Sequence, residues 1–422
     1  MKRYIQNFDH LAVTKERTDL LTIIESAYEA IDTRKIIGDN FKLKEETITI
    51  VDQVFDLKKF DRIFIFGFGK TSSVAVEAIE DILGDKINSG IVLDKKIGNL
   101  KYTKGYISAH PVPKEQNVIA SKEVAKLAES LGKRDLAIVV VSGGGSAMIS
   151  YPKSEYEQGA ILYNEFLKSG GNITELNTLR KHLSLLKGGG LAKLLHPATT
   201  VSLIFCDVPG DHFEMVASGP TYKDASSIKD TKKIIEKYKL TNKYNFNETP
   251  KEDKYFEKVY NIPLVTNTHA LIGMEKKAIE LGYNVINAGA EFYQDSEIII
   301  DLFLSKATPH SIVIGAGEPS VTVKGKGNTG GRCEHLTITA LERIKEEDIM
   351  SSFASDGIDN LSASAGAIAD YITREKAKDK NISIPKNIEN NTTDKFFKEI
   401  GDQIITGETG SNVSDIMILL RK

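Results

Sequence analysis

The sequence is poor in cysteine: its 422 residues include two, Cys206 and Cys333. So few argue against a disulfide framework and make the reducing cytoplasm the expected compartment. Paired metal-ligand spacings are missing among these cysteines and the eight histidines, so no structural zinc site is expected. No apolar run approaches the roughly 20 residues that cross a bilayer. The N-terminus begins with Lys2 and Arg3 but lacks the apolar centre of a signal peptide. Membrane association is therefore not expected. Positive charge is not in excess either: Lys and Arg number 55 against 58 Asp and Glu, a formal net charge of -3. A protein that coats nucleic acid is usually clearly basic, so nucleic acid is not an expected partner.

Enough apolar material is present, 41% of the residues, for two domains with full cores, and the ordinary 27% of charged residues excludes wholesale disorder. A helix is expected over 15–34, then a buried strand over 62–66, followed by strands at 90–94, 106–108 and 136–141 with helices between them. This alternation points to an α/β fold with a parallel sheet. A further strand is expected at 201–205. Residues 222–262, rich in Lys, Asn, Asp and Tyr, mark a boundary with one or two surface helices. A second α/β block follows, with strands at 263–266, 283–287, 311–314 and 350–354, an edge strand at 321–323, and helices at 269–281, 334–345 and 364–371. Lys378 to Asn391 is expected to be a loop, and 416–420 a closing strand. No fixed-period repeat is present.

The 33 glycines cluster directly after short β-branched runs, where ligands bind in open parallel sheets. In Gly67-Phe68-Gly69-Lys70 the glycines allow close backbone approach to an anion, and Lys70 adds a full charge. The P-loop spacing is absent, but Gly67, Gly69 and Ser72 fill the slots of a dinucleotide fingerprint, with Asp94 as a candidate ribose ligand. Ser142-Gly143-Gly144-Gly145-Ser146 reads as a backbone cradle for phosphate or carboxylate, since three successive glycines are costly for folding alone. Arg180, Ser184 and Lys187 form a polar stripe at helical spacing that could clamp an anionic substrate. Asp207, at a strand end, is a candidate base or metal ligand. Gly330 and Gly331 close a glycine-rich run, Gly325 to Gly331, in front of Arg332, whose guanidinium suits phosphate. Glu318, Asp356 and Asp359 offer hard oxygens for magnesium. Each feature also has a plainer explanation as a tight turn, a solvated face or a turn aspartate. His110 and the two cysteines read as structural.

Taken in order, Gly67-x-Gly69-Lys70, His110-Pro-Val-Pro, Ser142-Gly-Gly-Gly-Ser146, Leu179-Arg-Lys-His-Leu-Ser184 with Lys187-Gly-Gly, Asp207-Val-Pro-Gly-Asp211, Ser218-Gly-Pro-Thr221, Gly330-Gly-Arg332, Asp356-Gly-Ile-Asp359 and Thr406-Gly-x-Thr-Gly-x-Asn412 resemble the glycerate 2-kinase family with a MOFRL C-terminal domain. The resemblance runs from about residue 15 to the end. It implies a Rossmann-like N-terminal domain, set here at 1–240, and a smaller α/β domain at 241–422 whose final strand could return to the first. It implies a cleft site and phosphorylation of D-glycerate at its 2-hydroxyl, with ATP and magnesium as cofactors. Lys70, Asp207 and Arg332 match the positions the family treats as catalytic. Gly67, Gly69, Ser142 to Ser146, Gly330 and Gly331 are then candidates for nucleotide or phosphate, Arg180 and Lys187 for substrate, and Glu318 and Asp356 for metal. A homo-oligomer is compatible with the sequence. Two other readings stand beside this one: an NAD(P)-dependent hydroxypyruvate reductase, resting on the first glycine loop and Asp94, and a non-catalytic sugar-phosphate binder.

Overall fold

Among the described residues the strands form two six-stranded sheets and a small three-stranded one. In the computed structural model, which describes residues 3–322, 329–360 and 362–422, the small sheet is an antiparallel meander of β1 (Phe41–Lys44), β2 (Thr47–Ile50) and β3 (Gln53–Asp56). The first large sheet contains β4 (Arg62–Phe68), β5 (Ile87–Asp94), β6 (Lys104–Ile107), β7 (Asp135–Val141), β8 (Thr199–Phe205) and β9 (Val259–Val265). Its order is β6-β5-β4-β7-β8-β9, and the pairings from β6 through β8 are parallel. Every residue of β7 is buried, which is why, after Asp135, its sequence is an unbroken apolar run and not an alternation. The chain leaves β4 toward β5 and β6, then returns to lay β7 on the other side. That reversal lies between the two strands whose carboxyl ends carry the glycine loops, the crevice where such sheets bind ligands.

The second sheet contains β10 (Asn284–Asn287), β11 (Ser311–Gly317), β12 (Asp348–Ala354), β13 (Gly366–Ala369), β14 (Gln403–Ile404) and β15 (Asp415–Arg421). Its order is β10-β11-β15-β12-β13-β14. β15 is antiparallel to both β11 and β12, so Asp415 lies opposite Gly317 on one side and Ala354 on the other. Phe303, Leu336, Phe396, Phe397, Met417 and Leu419 belong to the core on this sheet.

The contacts divide the chain into two compact units. One joins the chain up to Asp32 with Asp207–Asp211 and Val265–Lys422; the other holds Thr33–Cys206 and His212–Leu264. The expected limits at 1–240 and 241–422 therefore differ from the observed ones. The N-terminal helix Lys15–Ala30 belongs with the C-terminal sheet, because its Arg17 is fully buried between Asp370 and Asp402. The last strand sits inside the second sheet and does not return to the first. Other local differences are instructive. The helix expected at 364–371 is β13, and a side chain at Gly366 would strike the Ser352 carbonyl, a close approach that strand pairing demands. The loop expected at 378–391 contains a short helix, Ile384–Glu389, with proline in its first turn. Val323, in the expected edge strand, and Gly325 to Asn328, in the expected glycine loop, lie outside the described residues.

Candidate functional site

Two glycine loops lace together at the carboxyl ends of β4 and β7. Gly69 has φ +121°, and an added Cβ would stand 2.1 Å from the Ser142 Oγ. The Lys70 N–H donates to the Gly143 carbonyl at 2.9 Å, the Thr71 N–H to Ser142 Oγ at 3.3 Å, and the Ser142 N–H to the Phe68 carbonyl at 3.1 Å. Gly144 has φ +79° and begins the one-turn helix Gly145–Met148. A Cβ there would come 2.8 Å from His110 Cδ2 and 3.4 Å from Lys70 Cγ. His110, read from sequence as structural, thus packs its ring beside Lys70 against the triple glycine. No sequence periodicity could show this, because His110 comes from the separate loop after β6. Ser146 and Ser218 share a hydroxyl hydrogen bond of 2.9 Å. Thr71 is buried, yet its Oγ1 finds no hydrogen-bond partner among the described residues, which fits a ligand that accepts a hydrogen bond at this cradle.

Other expected members of this group play different parts. Gly67 lies inside β4, where a Cβ would stand 3.1 Å from Val76; it lets the helix Ser72–Leu83 approach the strand. Asp94 is buried and accepts from the Ser73 and Lys95 N–H groups at 2.9 and 2.6 Å. Burial raises its pKa to about 6 against those hydrogen bonds. It closes the start of the helix, which leaves the ribose role without a carboxylate.

The Arg180–Ser184–Lys187 stripe does not lie on one helix. Ile173–Leu183 ends with Ser184 as its cap, whose Oγ accepts from the N–H groups of Leu186 and Lys187. Lys187 is buried, donates to the Ile149 carbonyl at 2.8 Å and pairs with Glu155. Burial, partly offset by Glu155, lowers its pKa. With its ammonium committed internally, Lys187 supports the loop and is not placed to grip substrate. Arg180 is half-buried, stands 5.2 Å over the Tyr163 ring, and has its pKa lowered by burial.

The other unit gathers a second group. Asp207 lies two residues past the end of β8, and the Asn412 Nδ2 donates to its Oδ2 at 3.1 Å. Arg332 opens the helix Arg332–Ala340; its Nε donates to Asp415 Oδ2 at 2.9 Å and its Nη2 to Glu318 Oε1 at 3.2 Å. Burial opposes the charge on Arg332, but Asp415 and Glu318 outweigh it and raise the pKa. Asp415 is buried; burial lifts its carboxyl to about 6, against the pull of Arg332. Asp359 caps the same helix, accepting from the N–H groups of Cys333 and Glu334. A Cβ on Gly331 would meet Asp359 Oδ1 at 2.0 Å, and one on Gly330 would meet Thr393 Oγ1 at 1.9 Å. Internal packing therefore accounts for both glycines. Cys206 and Cys333 are buried and form no disulfide.

Among the described residues no three Asp, Glu, His or Cys side chains are gathered to hold a metal on their own. Magnesium in phosphoryl transfer takes most of its ligands from phosphate and water, with one or two carboxylates. The donor set fits that need, because Glu318 and Asp356 both press electrostatically on Asp415 and so bring two carboxylates into one neighbourhood.

The description "Domain of unknown function (DUF4147)" matches residues 19–248, and the MOFRL family matches residues 311–415. The chain is 33% identical to a D-glycerate 2-kinase of Thermotoga maritima over 385 residues, 85% of this chain and 90% of the relative. It is 30% identical to a glycerate 2-kinase of Picrophilus torridus, covering 98% of both chains. A crystal structure of a Thermotoga maritima glycerate kinase superposes with a TM-score of 0.82 at 27% identity, covering 96% of this chain and 99% of that one. With matches of this length and identity, the chain belongs to the glycerate 2-kinase family.

Proposed function

We propose that the protein is a glycerate 2-kinase that transfers the γ-phosphoryl group of ATP to the 2-hydroxyl of D-glycerate, giving 2-phosphoglycerate and ADP. The observation that carries this reading is the laced pair of glycine loops around Lys70, beside the buried Thr71 hydroxyl that has no hydrogen-bond partner among the described residues. Phosphoryl transfer asks little covalent chemistry of a protein; it asks for positive charge on the moving group and a carboxylate to orient the attacking hydroxyl. Lys70 supplies charge at the cradle formed by Gly69 and Ser142 to Ser146. Arg332 supplies a second charge for the phosphoryl oxygens. Asp207 orients the 2-hydroxyl and takes its proton as the new O–P bond forms. Arg180 suits the glycerate carboxylate. Glu318 and Asp356 are the residues that would hold magnesium, whose chemistry when bound with nucleotide is to neutralise phosphate charge.

The reductase reading loses its ribose ligand, because Asp94 is engaged in closing a helix. The deciding experiment incubates the protein with D-glycerate, ATP and magnesium, and separately with hydroxypyruvate and NADH. ADP formation in the first and no NADH oxidation in the second support the proposal; the reverse pattern refutes it.

A further inference from the structure

The segment leading into β15 has no role in the reaction as described so far. Within the four residues Asn412 to Asp415, two side chains reach two of the groups assigned above. Asn412 is about nine-tenths buried and donates to Asp207 at 3.1 Å; Asp415, three residues on, is buried and accepts from the Arg332 Nε at 2.9 Å. Between them Ser414 has φ +79°, the left-handed region that a side chain disfavours. That conformation is held from three directions. The Val413 N–H donates to Ser355 Oγ at 2.8 Å, the Ser355 N–H to the Ser414 carbonyl at 3.2 Å, and the Asn267 Nδ2 to Ser414 Oγ at 3.2 Å. Asp415 itself is the first residue of the central strand, fixed in register against Gly317 and Ala354. Strained backbone held this firmly is characteristic of sites where geometry matters more than local stability.

Resting on the kinase reading, we propose that Asn412–Asp415 is the positioning element of the site: Asn412 fixes the orientation of the Asp207 carboxylate, and Asp415 fixes the Arg332 guanidinium by occupying its Nε. With Nε held by Asp415, Arg332 keeps its remaining N–H groups for Glu318 and for an incoming phosphoryl oxygen. A guanidinium held by one edge pivots little, which is how a partner that never touches substrate lowers a barrier. Neither residue is a catalytic one in this assignment. Their loss should therefore appear in turnover and not in glycerate affinity.

The test uses the full chain. Wild type is measured first with D-glycerate, ATP and magnesium. Asp415→Asn keeps the volume and removes the charge; it should lower kcat about tenfold to a hundredfold while the KM for glycerate changes less than about threefold. In an Arg332→Lys background the same substitution should cost less than about twofold more, because the two side chains act as one unit. Asn412→Ala should lower kcat without changing KM and should leave the Arg332 Nε–H resonance in place. In protein labelled with 15N-arginine, that resonance, identified by its disappearance in Arg332→Lys, should move in Asp415→Asn.

Equal fold-losses of Asp415→Asn in the two backgrounds overturn the proposal, as does an unmoved resonance. Should Asp415→Asn melt below the assay temperature, Asp415→Glu takes its place: retained charge on a longer arm should leave the protein folded with an intermediate kcat and a moved resonance, and wild-type kcat with an unmoved resonance overturns the proposal. If wild type forms no 2-phosphoglycerate, the functional reading falls, whereas the resonance still decides whether Asp415 holds Arg332.

Discussion

Gly144→Ala separates the cradle's chemistry from its stability. The backbone there has φ +79°, so a side chain costs about 1–2 kcal/mol in local strain. The new methyl would also lie 2.8 Å from His110 Cδ2 and 3.4 Å from Lys70 Cγ. Of these, only the histidine contact is impossible, so His110 must shift by several tenths of an ångström. Stability should fall by about 1–3 kcal/mol in total, a Tm drop of about 2–4 °C for each kcal/mol in a unit this size. Activity should fall by more than that implies. Displacing a positioned group by about 1 Å can cost a hundredfold, so kcat should drop about tenfold to a hundredfold at a temperature where the variant remains folded. Gly159→Ala is the matched control: it lies within the helix Lys153–Ser169 with nothing within 4 Å of an added Cβ, and should gain about 0.5–1 kcal/mol with unchanged turnover. Thermal melting and an initial-rate assay on the two variants decide the matter. Normal kcat in folded Gly144→Ala would show that the His110–Lys70 wall takes no part in the reaction.

Lys70→Ala should lower kcat at least about a hundredfold and leave the melting curve close to wild type, since a loop lysine carries no core; near-normal turnover removes it from the mechanism. Regiochemistry is read by coupling the product to enolase without phosphoglycerate mutase, and a signal that needs the mutase excludes attack by the 2-hydroxyl. Arg332→Ala should depress kcat far more than it changes glycerate KM; an effect confined to KM contradicts a transition-state role. Arg17→Met should destabilise by about 3–5 kcal/mol in thermal or urea unfolding, because it leaves Asp370 and Asp402 buried without their cation. Although burial raises the Asp402 pKa, Arg17 and Lys376 outweigh it and hold the group below 3.8. Its stabilising contribution is therefore present above about pH 4 and lost as pH falls through the depressed value. That acid-side loss should be weaker in Arg17→Met.

What was legible in the sequence followed from strong local signals. The apolar runs at 62–66 and 136–141 suit buried strands, and the glycine clusters that follow them suit turns. Lys70, Asp207 and Arg332 stood out because each follows such a run or a glycine cluster. Less visible was anything that depends on distant partners. Asp415 lies just before the expected closing strand at 416–420, and nothing local marks it until the fold sets Arg332 against it. Lys187 looks like a surface cation, yet Glu155, 32 residues earlier, draws it inside. Gly330 and Gly331 looked like ligand glycines, and only the positions of Thr393 and Asp359 show that the protein itself fills the space. The 364–371 segment has helical composition but becomes β13 because a sheet edge was available to pair with it, an override that local propensity cannot register.

The placement of β15 has a consequence for how the chain is made. Synthesis runs from the N-terminus, and domains fold as their last necessary segment emerges. Everything in the parallel sheet, β4 to β9, has been translated by residue 265. The other sheet has at its centre the segment 415–421, flanked by β11 and β12, so a nascent chain carries two strands that cannot yet meet. Throughout that interval the helix Lys15–Ala30 waits for partners such as Asp370 and Asp402, encoded more than 350 residues later. One half of the protein can thus form before the half holding Arg332, which waits for 415–421 to be made. A ribosome that stalls or terminates short of residue 415 leaves a folded parallel sheet attached to an open one, whose unpaired β11 and β12 edges invite association with other chains.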